Sequence, residues 1–212
     1  MKTIIKHELK IQNKINNLIK YAAIFLIFCT FSVTLISPQE NVQTFGIIFS
    51  VICIPLAFIG LTHGFIKTDI EDGSLENSLA SIPSYKIIFA KYAALCICTL
   101  ASFTMMIPVI FILYNVRIEN IVTIVFSGIM LITLSAALAL LTSAVQGYFR
   151  TNTNFLSILI MPLIIPDIII SGLFIQAPEN LYLATIMIGI NLVIIPPSLY
   201  LSSYLLENIY NI

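Results

Sequence analysis

From Asp69 to Lys86 the chain reads D-I-E-D-G-S-L-E-N-S-L-A-S-I-P-S-Y-K, and it lies in the one connection between apolar runs that is both long and charged. Its residue order spells a short helix. Ser74 is placed to cap a helix beginning near Leu75, and Leu75, Leu79 and Ile82 then recur at i, i+4 and i+7 on one face. Gly73 permits a sharp bend before that helix and Pro83 stops it. Asp69, Glu71 and Asp72 precede its amino end, where the helix dipole favours negative charge.

On both sides of this segment the sequence is apolar. Runs extend from about 21 to 36, 42 to 66, 87 to 114, 118 to 145, 155 to 175 and 181 to 206, the first with room to borrow Leu18 and Ile19. At about 20 residues per crossing, these predict an all-α, polytopic membrane protein with six transmembrane helices. Composition agrees: 59% of the 212 residues are hydrophobic and 9% charged, against about 25% charged in soluble domains. A water-soluble fold is excluded. Residues 1–212 are read as a single transmembrane domain with no room for a second one.

Residues 1–20 differ from the rest, because Lys2, Lys6, Lys10, Lys14 and Lys20 alternate with Ile and Leu at mostly three- and four-residue steps. That pattern predicts an interfacial amphipathic helix whose lysine stems reach toward anionic headgroups. A cleaved signal would concentrate its charge before one apolar core. Lys67, Lys86, Lys91 and Arg150 fall on the same side as these lysines, and only Arg117 falls on the other. Both termini and the 67–86 loop are therefore expected on the cytoplasmic or equivalent face.

A helix with an apolar stripe and acidic flanks suits a groove on another protein. The alternative, a helix lying flat on the membrane, conflicts with four acids and no basic residue from Asp69 through Glu76, since an anionic leaflet attracts Lys and Arg. Nothing here suggests nucleic-acid binding. Phosphate cradles need a Gly-x-x-x-x-Gly-Lys-Ser/Thr loop, and none of the eight glycines precedes a lysine. ATP chemistry, where needed, belongs to another chain.

Several residues inside apolar runs carry two readings. Asp167 is the only acid within an expected span, where a charge costs about 2.5–3.5 kcal/mol on insertion scales. Either it is a polar point on a conduit or a contact to a partner helix, or span five breaks at Pro162 and Pro166 and leaves it among headgroups. Cys29, Cys53, Cys96 and Cys98 read as small buried hydrophobes. The Cys96 and Cys98 pair does not share a helix face, and no metal site is expected. His7 and His63 sit near membrane interfaces, and Gly60 and Gly64 offer a weak close-approach motif.

Glu71, Gly73, Ser74, Leu75, Glu76 and Pro83 together resemble the acidic Gly-Ser/Thr-Leu-Glu coupling helix of ABC-2-type exporter membrane subunits. Within that class the chain is most similar to the CcmB family, the permease subunits of a haem exporter used in cytochrome c maturation. The total length and the M-P-L-I-I-P phrase at Pro162 and Pro166 fit as well, while Ser84, Tyr85 and Asp167 depart from the family's usual residues. The resemblance implies a non-catalytic subunit that forms a homodimer and pairs with a CcmA-like ABC ATPase subunit through Asp69, Glu71, Asp72, Gly73, Ser74, Leu75, Glu76, Leu79 and Pro83. It further implies CcmC-like haem-handling partners and a bacterial cytoplasmic or mitochondrial inner membrane. No cofactor is bound directly; haem is the implied cargo, or ATP drives release of a haem-loaded chaperone. An ABC-2 permease for a lipid or drug is the alternative.

Overall fold

The computed structural model describes residues 2–14, 17–36, 42–61, 66, 69–70, 72–116, 120–149 and 155–209. Among them every regular element is a helix: α1 Lys2–Lys14, α2 Leu18–Ile36, α3 Val42–Leu61, α4 Ser74–Ser81, α5 Ser84–Tyr114, α6 Ile121–Phe149, α7 Phe155–Gln176 and α8 Leu181–Asn208. Four of these contain stretches long and apolar enough to cross a membrane: Leu18–Leu35, Ser84–Tyr114, Ile121–Phe149 and Leu181–Asn208. Two shorter apolar stretches, Gln43–Phe58 and Pro162–Gln176, accompany them.

The bundle is greasy outside and gathers its polar residues within a largely apolar core. Phe28, Leu35, Ile112 and Val122 are each at least 70% exposed, whereas Ser50, Ser102, Ser127, Ser135, Asp167 and Asn191 are buried. Hydrocarbon solvent reverses the usual sorting, since a polar group there must find its partner within the protein. Ser and Thr hydroxyls accordingly donate back to carbonyls one turn earlier, as Ser50 does to Gly46 and Thr99 to Leu95. Others bridge helices: Ser102 of α5 donates to the Ile19 carbonyl of α2, and the Tyr114 hydroxyl to that of Thr30.

Helix α6 is the hub, packing on α3, α5, α7 and α8. Its buried Ser127, Gly128, Ser135, Ala136, Ala137 and Ala144 are small enough to let neighbouring backbones approach. One close approach is at Gly128, where an added Cβ would collide with the ring of Phe103 on α5. By contrast α8 leaves Leu181, Tyr182, Leu192, Val193 and Tyr200 exposed along much of its length.

The structure corrects three expectations. The amino-terminal helix stops at Lys14, and Asn17, with φ of 46°, turns the chain into α2, so Lys20 belongs to the first long helix. An asparagine tolerates this left-handed backbone better than most residues. Nor is α1 merely amphipathic, for it packs along α5 and buries Glu8 and Gln12. Span five does not break: α7 runs unbroken through Pro162 and Pro166, as α3 does through Pro55, α5 through Pro108 and α8 through Pro196 and Pro197. Membrane helices tolerate such prolines where the freed carbonyls find other donors.

Replacing Gly128 by Val should force Phe103 out of its rotamer and lower stability by about 1–3 kcal/mol. Thermal unfolding of the purified protein in detergent checks this, with Gly189→Val, which meets open space, as the comparison.

Candidate functional site

The segment from Ile66 to Ser84 joins α3 to α5 and carries α4. Its start is fixed to α6: the Ile66 N–H donates to the Ser143 hydroxyl at 2.7 Å. Ile70 then lies over Gly147, where a Cβ would come within 2.8 Å of the Ile70 Cδ1. Asp69 pairs with Lys91 of α5 at 2.5 Å, and the same ammonium reaches Glu8 of α1 at 3.2 Å. Lys91 is 3% exposed. Removing one member of such a buried set leaves uncompensated charge and costs about 3–5 kcal/mol.

The bend into α4 occurs at Gly73, whose φ is 69°. No atom lies within 4 Å of where its Cβ would stand, so glycine is required here by backbone conformation and not by space. Gly73 itself occupies the cap position and Ser74 is the first helical residue, its hydroxyl donating instead to the Asp69 carbonyl at 3.2 Å. The expected Ser74 cap is therefore displaced by one residue. After α4, Ile82 is extended and its N–H closes onto Ser78, and Pro83, at φ of −61°, leads directly into α5.

The exit is fixed as firmly as the entrance. Ser84, buried, donates its single hydroxyl proton to the Glu207 carboxylate of α8, which leaves the Ser203 hydroxyl to donate to Ser84 at 2.9 Å. Thus α5, α6 and α8 hold the segment, and α1 is joined to it through Lys91.

The apolar stripe of α4 points the opposite way from the sequence expectation. Leu75 is buried in the chain's own core, with Leu79 and Ile82 packed against that core. Periodicity identifies a stripe but not what covers it, and here the bundle covers it. Asp72, Ser74, Glu76, Asn77, Ala80, Ser81 and Pro83 remain exposed, a polar and acidic surface. Glu71, Lys67, His63, Gly64, Arg117 and Arg150 lie outside the described residues. His7 is exposed on α1.

A second polar cluster crosses the bundle. Asp167 of α7 is fully buried and accepts a hydrogen bond from the Asn191 amide of α8 at 3.3 Å. Thr133 of α6 donates to the Asn191 carbonyl oxygen, and the Tyr92 hydroxyl of α5 donates to the Thr133 main-chain carbonyl. Asp167 Oδ1 has no hydrogen-bond partner. Asp167 is thus buried in a contact between α7 and α8, with Pro162 and Pro166 exposed on the same helix. The four cysteines are free, and among the described residues no group of three His, Cys, Asp or Glu gathers to hold a metal.

The sequence reading took Lys91 only as a topological charge and Ser84 only as a departure from the family's residues, and gave Glu8, Asn191 and Glu207 no role in a contact. Three of them carried a signal: Lys91 is a lysine in an apolar run, Glu8 an acid among lysines, and Asn191 an asparagine in the middle of an apolar helix.

The family model described as CcmB protein matches residues 1–199. The chain belongs to the CcmB family. CcmB proteins are non-catalytic permease subunits of an ABC system that exports haem for cytochrome c biogenesis, so this chain is a membrane subunit of such a system. Similar proteins occur in Rickettsia. One from Rickettsia conorii is 46% identical over 209 residues, covering 99% of this chain and 97% of that protein. Another, from Rickettsia prowazekii, is 45% identical over the same length with the same coverage. Both are described only as uncharacterized proteins. The match takes in the segment that carries α4 and the Asp167 cluster alike.

Two outcomes follow from the geometry. Asn191→Leu strands the Asp167 carboxyl and should destabilise by about 1–3 kcal/mol, whereas Asn191→Leu combined with Asp167→Leu should recover much of that loss. A double-mutant cycle on detergent-solubilised protein measures the coupling. Gly73→Val should cost about 1–2 kcal/mol through its left-handed φ alone, read in the same unfolding assay.

Proposed function

We propose that α4 is the coupling helix through which a CcmA-like ATPase subunit drives this permease. One observation carries the reading: a short helix with a polar, acidic outer face is joined to α1, α5, α6 and α8 at its base. A push on that outer face has a stiff path into the long helices. Asp69 and Leu75 hold the segment from within, while Asp72, Ser74, Glu76, Pro83 and their exposed neighbours meet the ATPase. Glu71 and Leu79 belong to the same segment, and Gly73 sets its angle.

In this reading the chain crosses an inner membrane six times, with α4 and both termini on the cytoplasmic or matrix side. α3 and α7, at 20 and 22 residues, reach about 30 and 33 Å at 1.5 Å per residue, enough for the hydrocarbon core. The excess of basic residues on the α4 side supports that orientation. Two copies pair with two ATPase subunits, and CcmC-like subunits handle haem. ATP closure displaces α4, and α5, 31 residues and about 46 Å long, carries the displacement across the bilayer. The output is haem export or release of a haem-loaded chaperone.

Affinity capture of the ATPase subunit through a tagged permease tests the docking face. Glu76→Lys combined with Ala80→Arg should abolish capture while the permease accumulates normally; Leu75→Asp should instead lower permease stability, because that side chain faces inward. Undiminished capture by the Glu76 and Ala80 variant removes α4 from the interface. For topology, Ser78→Cys should react with an impermeant maleimide only in inside-out vesicles, and Asn115→Cys only in right-side-out ones. The reverse pattern inverts the assignment.

A further inference from the structure

Of the attachments at the coupling segment, only Lys91 extends to a third element. Its ammonium is nearly enclosed and lies between Asp69 Oδ2, just before α4, and Glu8 Oε2 on α1. The two carboxylates carry one more negative charge than the ammonium between them neutralises. Without Lys91 they would repel one another across a poorly solvated gap. Among the described residues both ion pairs meet at this one nitrogen. Lys91 also sits two turns into α5, a helix separated from the end of α4 by Ile82 and Pro83 alone. The base of α5, the approach to α4 and the middle of α1 are therefore tied to a single point. On the other face of α1, Thr3, Lys6, His7 and Lys10 are exposed.

We infer that Lys91 is a positioning residue that makes α1 part of the moving unit, so that displacement of α4 by the ATPase also displaces the amino-terminal helix. This rests on the coupling reading above. The two carboxylates give the linkage its direction: Asp69 transmits the movement of the loop, Lys91 receives it on α5, and Glu8 passes it to α1.

The test uses the permease assembled with its ATPase subunit in lipid vesicles, with Cys29→Ser to remove the one native cysteine that is not buried. A nitroxide is placed on Lys10→Cys in α1 or, separately, on Ser81→Cys in α4, both exposed positions. Spectra are taken before and after trapping with ATP and vanadate. The expected result is a spectral shift at both labels in the otherwise unaltered protein. Lys91→Met should abolish the α1 shift while the α4 shift and ATPase capture persist, and Lys91→Arg should restore it. Glu8→Gln, which spares the Lys91 and Asp69 pair, should also silence α1, and it decides the matter if Lys91→Met does not accumulate. An α1 label that is silent in the unaltered protein overturns the inference, as does one that shifts equally in Lys91→Met and Glu8→Gln. Failure of the unaltered permease to retain the ATPase overturns the coupling reading itself, a result distinct from retained ATPase with an unresponsive α1.

Discussion

A hydrocarbon solvent offers no hydrogen bonds, and this constraint organises the molecule. Polar groups carried into the bundle are answered largely by other parts of the same chain, with Ser127 Oγ, Ser135 Oγ and Asp167 Oδ1 left without a partner among the described residues. Serines and threonines therefore turn back onto their own helices, and the hydroxyls of Ser102 and Tyr114 stitch α5 to α2. The helices interrupted by proline stay helical nonetheless, although Pro108, Pro162, Pro166, Pro196 and Pro197 are exposed and only Pro55 is buried. Small residues on α6 complete the arrangement by letting four neighbours share one central helix.

The coupling segment obeys the constraint from the other side. It sits where the bundle meets water, so its two faces answer to different surroundings. Leu75 closes the end of the core, and Asp69 and Ser84 spend their polar groups on Lys91 and on Glu207 with Ser203. What remains outward is acidic and hydrogen-bonding, while the apolar side of the helix is held against the core.

Much of this was legible in the residue order, and the exceptions share a cause. The apolar runs located the long helices to within a few residues, and Gly73 marked its turn because a left-handed backbone leaves a local signature. The direction faced by Leu75 was not legible, since periodicity is a property of one helix and burial a property of two. The meeting of Glu8 with Lys91 spans 83 residues, and no local pattern announces it. Pro162 and Pro166 suggested a break because proline's penalty is local, while the neighbours that absorb it are tertiary. Asn17 was a missed local signal: consecutive asparagines ahead of an apolar run mark a place where the chain can reverse its twist.

The Asp167 and Asn191 contact also sets a schedule for biosynthesis. The ribosome delivers α7 before α8, and the two residues are 24 positions apart. At about 5–20 residues per second, the carboxyl waits on the order of one to five seconds for its amide. During that interval α7 must be held by the insertion machinery or by α6, because its own hydrophobicity is offset by an acid at its centre. The helix that follows completes the pair, and a polypeptide stalled before α8 emerges would carry Asp167 without its Asn191 partner.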